Sequence, residues 1–193
     1  MRRTTKQKSK LFLPLFIIGI MVLSMFGVVI GGLSDDSTTI KYNDIVFRQD
    51  SGTYLFTIND ITYRTRYDPT TVEGFIDHLS PSFLQDFLAT PTLYLDVSNQ
   101  ATVVYMQELA FNLNRERTIH FSCTEAAADE EHCLELPLYS CDTLPENTLL
   151  FTYALAGERS TTYENNCFAL EGTESYLLGV TDALIMYHGG IFS

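Results

Sequence analysis

Apolar and polar positions along this chain follow three patterns in turn. Leu11 to Leu33 contains no charged residue at all. Ile45 to Tyr67 alternates with a period of two, and beyond Val72 apolar residues recur at helical spacing between short continuous runs. Twenty-three residues at about 1.5 Å each make roughly 34 Å of helix, slightly more than the ~30 Å hydrocarbon layer of a bilayer. Lipid offers no partner to backbone N–H and C=O groups, so a single spanning segment must be helical. Pro14 falls in its first turn, where a missing N–H costs little. The pattern therefore predicts a transmembrane helix over 11–33.

The period-two stretch predicts a three-stranded β-meander over Asp44 to Tyr67. Tyr54, Phe56 and Ile58 share one face; after the turn pair Asn59-Asp60, Ile61, Tyr63, Thr65 and Tyr67 return along one face. Val72, Phe75, Ile76 and Leu79 then recur at i, i+3, i+4 and i+7, the spacing of an amphipathic helix. Ser80-Pro81 ends that helix and starts the next, with Ser80 as N-cap and Pro81 at the first helical position. Thr92 to Val97 reads as a strand, Ser98 as the cap of a helix reaching Asn114, and Thr118 to Ser122 as the next strand of a right-handed strand–helix–strand unit. An acidic excursion runs from Cys123 to Asn147. Strands at Thr148 to Ala154 and Cys167 to Leu170, separated by a turn at Gly157 to Ser160, precede a last helix from Thr173 to about Tyr187, ended by Gly189. The fold class is α/β: a mixed sheet with helices packed on it, preceded by an N-terminal β-meander and one transmembrane helix.

Charge orients this arrangement. Arg2, Arg3, Lys6, Lys8 and Lys10 crowd residues 1–10. A positive tail stays in the cytoplasm, so the segment acts as a signal-anchor and the larger part lies outside the cell membrane. Small residues at Gly31 and Gly32 leave signal-peptide cleavage as the alternative, although the run is longer than the usual apolar core. Gly27 and Gly31 form a GxxxG pattern, which admits a close helix–helix contact and hence a homodimer; glycine is also simply frequent in spanning helices. Residues 34–43 read as a short polar spacer and 44–193 as one extracytoplasmic domain. Beyond residue 33, seven Lys and Arg face 24 Asp and Glu, a formal charge of −17. Such a surface excludes nucleic acid, whose phosphates need clustered cations. It fits a bound cation, a basic partner or simple solubility.

All four cysteines, Cys123, Cys133, Cys141 and Cys167, lie beyond the span, an even count that predicts disulfides. Of three connectivities the favoured one pairs Cys123 with Cys133, closing an acidic loop, and Cys141 with Cys167, tying a loop to a strand. A metal site built from thiolates and His132 is the alternative, without CxxC or HxxxH spacing to support it. Catalytic and cofactor signals are absent: no GxSxG elbow, no HExxH, no phosphate-binding glycine loop and no EF-hand pattern in Asp129-Glu130-Glu131. His78, His120, His132 and His188 are scattered, and His188 suits the negative end of the last helix. Tyr54, Tyr63 and Tyr67 with Arg64 and Arg66 carry the residue types of binding anchors, and the meander's outer edge is the first candidate for a partner surface. Aromatic residues also suit strands for packing alone.

The segments TYLFTINDITYRTRYDPTTVEGF and NCFALEG, with the strand, helix and strand ending in Cys123 between them, resemble uncharacterised single-pass membrane proteins of small-genome archaea. The resemblance implies only an anchored, disulfide-containing α/β domain facing outward and carries over no functional residue. The expected function is a cell-surface binding or structural protein that meets the bilayer through 11–33 and an envelope protein through its domain. An anchored extracytoplasmic hydrolase and a subunit of a larger membrane complex are the alternatives.

Overall fold

A computed structural model describes residues 38–192. The span expected over 11–33, with Gly27 and Gly31, lies outside these residues. Among the described residues no helix is long and apolar enough to cross a membrane.

Four strands, β1 (Thr39–Tyr42), β2 (Ile45–Asp50), β3 (Thr53–Ile58) and β4 (Ile61–Thr65), form an antiparallel meander in the order β1-β2-β3-β4. The meander thus has one strand more than the sequence predicts, and β1 occupies part of the expected spacer. Its connections are two-residue turns with positive φ at both positions: Asn43-Asp44 (47° and 64°), Ser51-Gly52 (49° and 82°) and Asn59-Asp60 (50° and 65°). That geometry matches the twist of the paired strands, and Asn, Asp and Gly adopt it most readily. Phe47, Phe56, Tyr63 and Thr65 fill the covered face.

The second sheet contains β5 (Thr92–Asp96), β6 (Thr118–Ser122), β7 (Thr148–Leu155), β8 (Ser160–Glu164) and β9 (Cys167–Gly172), ordered β6-β5-β7-β9-β8. β6, β5, β7 and β9 run parallel, and β8 closes one edge antiparallel to β9. β8 was not expected; it returns to β9 through Asn165-Asn166, again with two positive φ values, 49° and 60°. The sheet is mixed, as expected, and separate from the meander.

Helices α1 (Pro69–Ile76), α2 (Pro81–Ala89), α3 (Val103–Leu113) and α4 (Glu174–His188) complete the domain. Asp68 caps α1 by accepting from the Thr70 and Thr71 N–H groups; Ser80 caps α2 by accepting from Phe83 N–H. α3 starts later than predicted. Its N-cap is Thr102, because the Ser98 hydroxyl donates to Asp96 Oδ1 instead. α4 ends at Gly189, where a Cβ would come within 3.1 Å of the Phe56 ring. Leu93, Leu95, Phe151, Tyr153, Phe168 and Leu170 form the core face of the mixed sheet. The excursion after β6 crosses the opposite face, where Tyr139 packs on Tyr94 with ring centres 4.5 Å apart.

α4 is buried almost throughout: Tyr176, Leu177 and every residue from Gly179 to Met186. It touches α1, α3, β9 and β4, and so lies between the two sheets. Removing most of one side chain here leaves a void that the surroundings fill only partly, so Leu184→Ala is expected to cost about 2–5 kcal/mol. The shift of the urea unfolding midpoint at unchanged slope checks this.

Candidate functional site

β4 positions the residues the sequence singled out, and it separates them. Tyr63 points into the core at 2% exposure and stacks on Phe56 with ring centres 5.1 Å apart. It is not available as a surface anchor. Tyr54 is half-buried against the core. Arg64 turns to the other side of the strand, where Nε and Nη2 donate to the two Glu108 carboxylate oxygens at 3.1 and 3.2 Å. Its guanidinium carbon lies 4.7 Å from the centre of the Phe111 ring. Arg66 is exposed, and Tyr67 is half-buried and stacked on Phe75.

The outer edge of β4 and the connection after it are partly occupied within the fold. Arg64 N–H donates to Asn112 Oδ1 at 2.7 Å, and the Arg66 and Tyr67 N–H groups both donate to Asp182 Oδ2 at 2.8 Å. Side chains of α3 and α4 thus take three N–H groups that an incoming strand could otherwise use.

Beside this capped edge lies a cleft of about 330 Å³. Arg66 and Tyr67 line it from the β4–α1 connection, Val104, Tyr105 and Glu108 from α3, and Glu174 and Leu178 from the start of α4. Glu108 is buried and committed to Arg64. Asp182 lies one turn beyond Leu178 on the same side of α4. It has no exposed surface, and its Oδ1 has no hydrogen-bond partner. Burial pushes its carboxyl up to about 7, with Glu108 adding to the rise and the two N–H donors opposing it. Ser175 Oγ pairs with Thr173 Oγ1 at 3.2 Å rather than with a base. The cleft therefore presents an exposed Arg66 and Glu174 between apolar and aromatic walls, while its buried acids hold the architecture.

A second polar cluster lies at the amino-terminal end of the parallel strands. Tyr63 OH donates to Glu116 Oε2 at 2.6 Å, and His188 Nε2 reaches the same oxygen at 2.7 Å. His188 Nδ1 accepts from Arg117 at 2.9 Å, and Arg117 also donates to the Phe87 carbonyl. Burial and the Arg117 charge hold His188 below its ordinary value, so the neutral ring is favoured and the helix-end cation expected there is not. Burial brings Arg117 down to about 10, and bonds from Tyr63 and His188 help keep Glu116 low. Every member has a partner within the fold, which marks the cluster as a brace.

The cysteines pair as expected, Cys123 with Cys133 and Cys141 with Cys167. The first pair sits at the carboxyl ends of β5 and β6 with Asp96, Ser98, Thr124 and His132. His120 is exposed and stacks on Tyr94, and His78 is exposed beside Tyr176. Asp182, Glu108 and Asn112 were missed by sequence reasoning. Asp182 did carry a signal, as the one acidic residue in the apolar run Gly179 to Met186.

Compared with family models, curated proteins and solved structures, the chain finds no match.

The raised Asp182 carboxyl fixes a pH dependence. The folded chain keeps a proton there that the unfolded chain releases near the ordinary value of 3.8, so Asp182 favours folding most below that pH. Its contribution is lost as pH rises through about 7. Asp182→Asn is expected to remove this decline, leaving a flatter profile than wild type between pH 4 and 8. Urea midpoints measured across that range check it; parallel profiles for the two chains would contradict it.

Proposed function

We propose that this chain is a membrane-anchored surface protein with a cytoplasmic basic tail and an outward domain that binds another envelope component through the Arg66 cleft. The uncharged run over 11–33 and its basic flank support the anchoring, and two disulfides among the four cysteines suit an oxidising compartment. The archaeal resemblance agrees with this placement. The observation that carries the binding reading is the way Asp182 fixes the backbone of Arg66 and Tyr67 while their side chains line an open cleft opposite Glu174 and the half-exposed Val104. An Arg and aromatic residues held on a rigid support are the usual anchors of a partner contact. The mixed charge and apolar walls fit a polypeptide segment carrying both signs of charge.

A hydrolase reading has one observation in its favour, the unpartnered oxygen of Asp182 beside Glu108, since a buried acid with a raised pKa can serve as a proton donor. Binding is preferred because Glu108 is paired with Arg64 and Asp182 Oδ2 accepts from the Arg66 and Tyr67 N–H groups, which gives both acids a structural task.

Two measurements test the proposal. Lys41 is the single lysine after residue 10 and its side chain is 66% exposed. A membrane-impermeant amine reagent on intact cells is expected to label Lys41 and spare Lys6, Lys8 and Lys10 until lysis. The reverse pattern would overturn the topology. For the cleft, a photo-crosslinking residue at Val104 is expected to give a discrete adduct in native membranes. Arg66→Glu should reduce that adduct roughly tenfold, the loss expected from one anchor charge. An unchanged adduct would remove the cleft from the contact.

A further inference from the structure

We infer that Cys123, Cys133 and His132 form a redox-gated site for a thiophilic divalent cation such as Zn²⁺, closed while the disulfide is intact and opened by its reduction. The two sulfurs and a ring nitrogen of His132 lie within 4.8 Å of one another. Tetrahedral Zn²⁺ takes sulfur at about 2.3 Å and nitrogen at about 2.0–2.1 Å, which sets ligand atoms roughly 3.3–3.8 Å apart, a spacing this cluster reaches with small side-chain rotations.

Three features prepare the site. His132 Nε2 lies 3.1 Å from the Val97 carbonyl, which can only accept, so Nε2 carries the hydrogen and Nδ1 keeps its lone pair. A ring N–H donated to a backbone carbonyl is the arrangement that orients metal-ligating histidines. Cys123 is fixed by backbone bonds on both sides: its N–H donates to the Pro137 carbonyl at 3.0 Å, and its carbonyl accepts from Tyr139 N–H at 2.9 Å. These bonds do not depend on the disulfide, so the Cys123 backbone that carries the sulfur keeps its place on reduction. Both cysteines are 1% exposed, whereas His132 reaches solvent along a cleft shared with Gln100, Glu130 and Glu131. The His132 side of the site therefore meets water, with two carboxylates beside it that draw cations toward it.

The chemistry balances with a dithiol as reductant. A dithiol gives two electrons and two protons to the Cys123–Cys133 bond and leaves as a disulfide. Binding of Zn²⁺ then releases the two thiol protons and forms two metal–sulfur bonds and one metal–nitrogen bond. The proposal is independent of the Arg66 cleft.

The test uses the full chain in detergent with Co²⁺ as the spectroscopic probe. After treatment with a dithiol and its removal under anaerobic conditions, the chain is expected to bind one equivalent of Co²⁺ with a thiolate-to-metal charge-transfer band, and Zn²⁺ should displace it. The oxidised chain should show no band. Cys123→Ser/Cys133→Ser should lose the band, Cys141→Ser/Cys167→Ser should keep it, and His132→Ala should weaken affinity at least roughly tenfold. If reduction loosens the fold, Zn²⁺ should restore the far-ultraviolet circular dichroism of the oxidised chain. Absence of a band in the reduced wild type, persistence of the band in Cys123→Ser/Cys133→Ser, or unchanged affinity in His132→Ala would each overturn the assignment.

Discussion

A helix that is apolar on every side can be stable in water only if the rest of the chain surrounds it. α4 is such a helix, and its burial organises the domain. The mixed sheet covers one side and the meander another, with α1 and α3 beside them. Phe75 sits where a Cβ on Gly179 would come within 2.4 Å of its ring, so α1 approaches α4 as closely as a glycine permits. Thr181 is absorbed locally: its Oγ1 donates to the Leu177 carbonyl at 2.8 Å and lies 3.3 Å from the Tyr153 hydroxyl.

Asp182 and His188 fix the meander on this helix at two points. Asp182 binds the backbone of Arg66 and Tyr67; His188 reaches Tyr63 through Glu116. Six helical residues advance about 9 Å, and three strand residues advance about 10 Å. The separation of the two helix residues thus matches that between Tyr63 on β4 and Arg66 just beyond its end, with strand and helix running in opposite directions. A slip of one residue would turn Tyr63 outward and Arg64 inward, at the cost of both anchor points. The register of β4 therefore also decides which side chains face the cleft.

Period-two alternation made the meander legible, helical spacing made α1 legible, and capping residues made α2 and α4 legible. The loops that the cysteines would close favoured their pairing. Asn43-Asp44 is the same turn pair as Asn59-Asp60, so β1 was readable by the rule that found the later hairpin. β8 was not, because Ser160–Glu164 has a mostly polar surface and takes its place only through β9. Alternation states which residues share a face, but not which face another element covers; that is why Tyr63 read as an anchor and is core. Ser98 looked like a helix cap until Asp96, two residues earlier, claimed its hydroxyl. The groups that cap β4 come from positions 48 and 116 residues away in sequence, a separation that local patterns do not report.

Charge adds to the binding role proposed for the cleft what its shape alone does not. Of the seven cations beyond the tail, Arg64 is paired with Glu108, Arg117 is buried against Phe87, Arg159 lies over Tyr176, Lys41 pairs with Asp44, and Arg48 and Arg115 are exposed away from this cleft. Arg66 instead lines an open cleft on a strongly acidic surface. At a distance the domain repels anions, and within a Debye length of Arg66 that repulsion is locally offset. A partner with one acidic group suitably placed on a neutral or basic face would satisfy both conditions, whereas a uniformly acidic one would be turned away before contact. Discrimination of this kind acts through the charges a wrong partner brings, which is how electrostatics contributes specificity more than raw affinity.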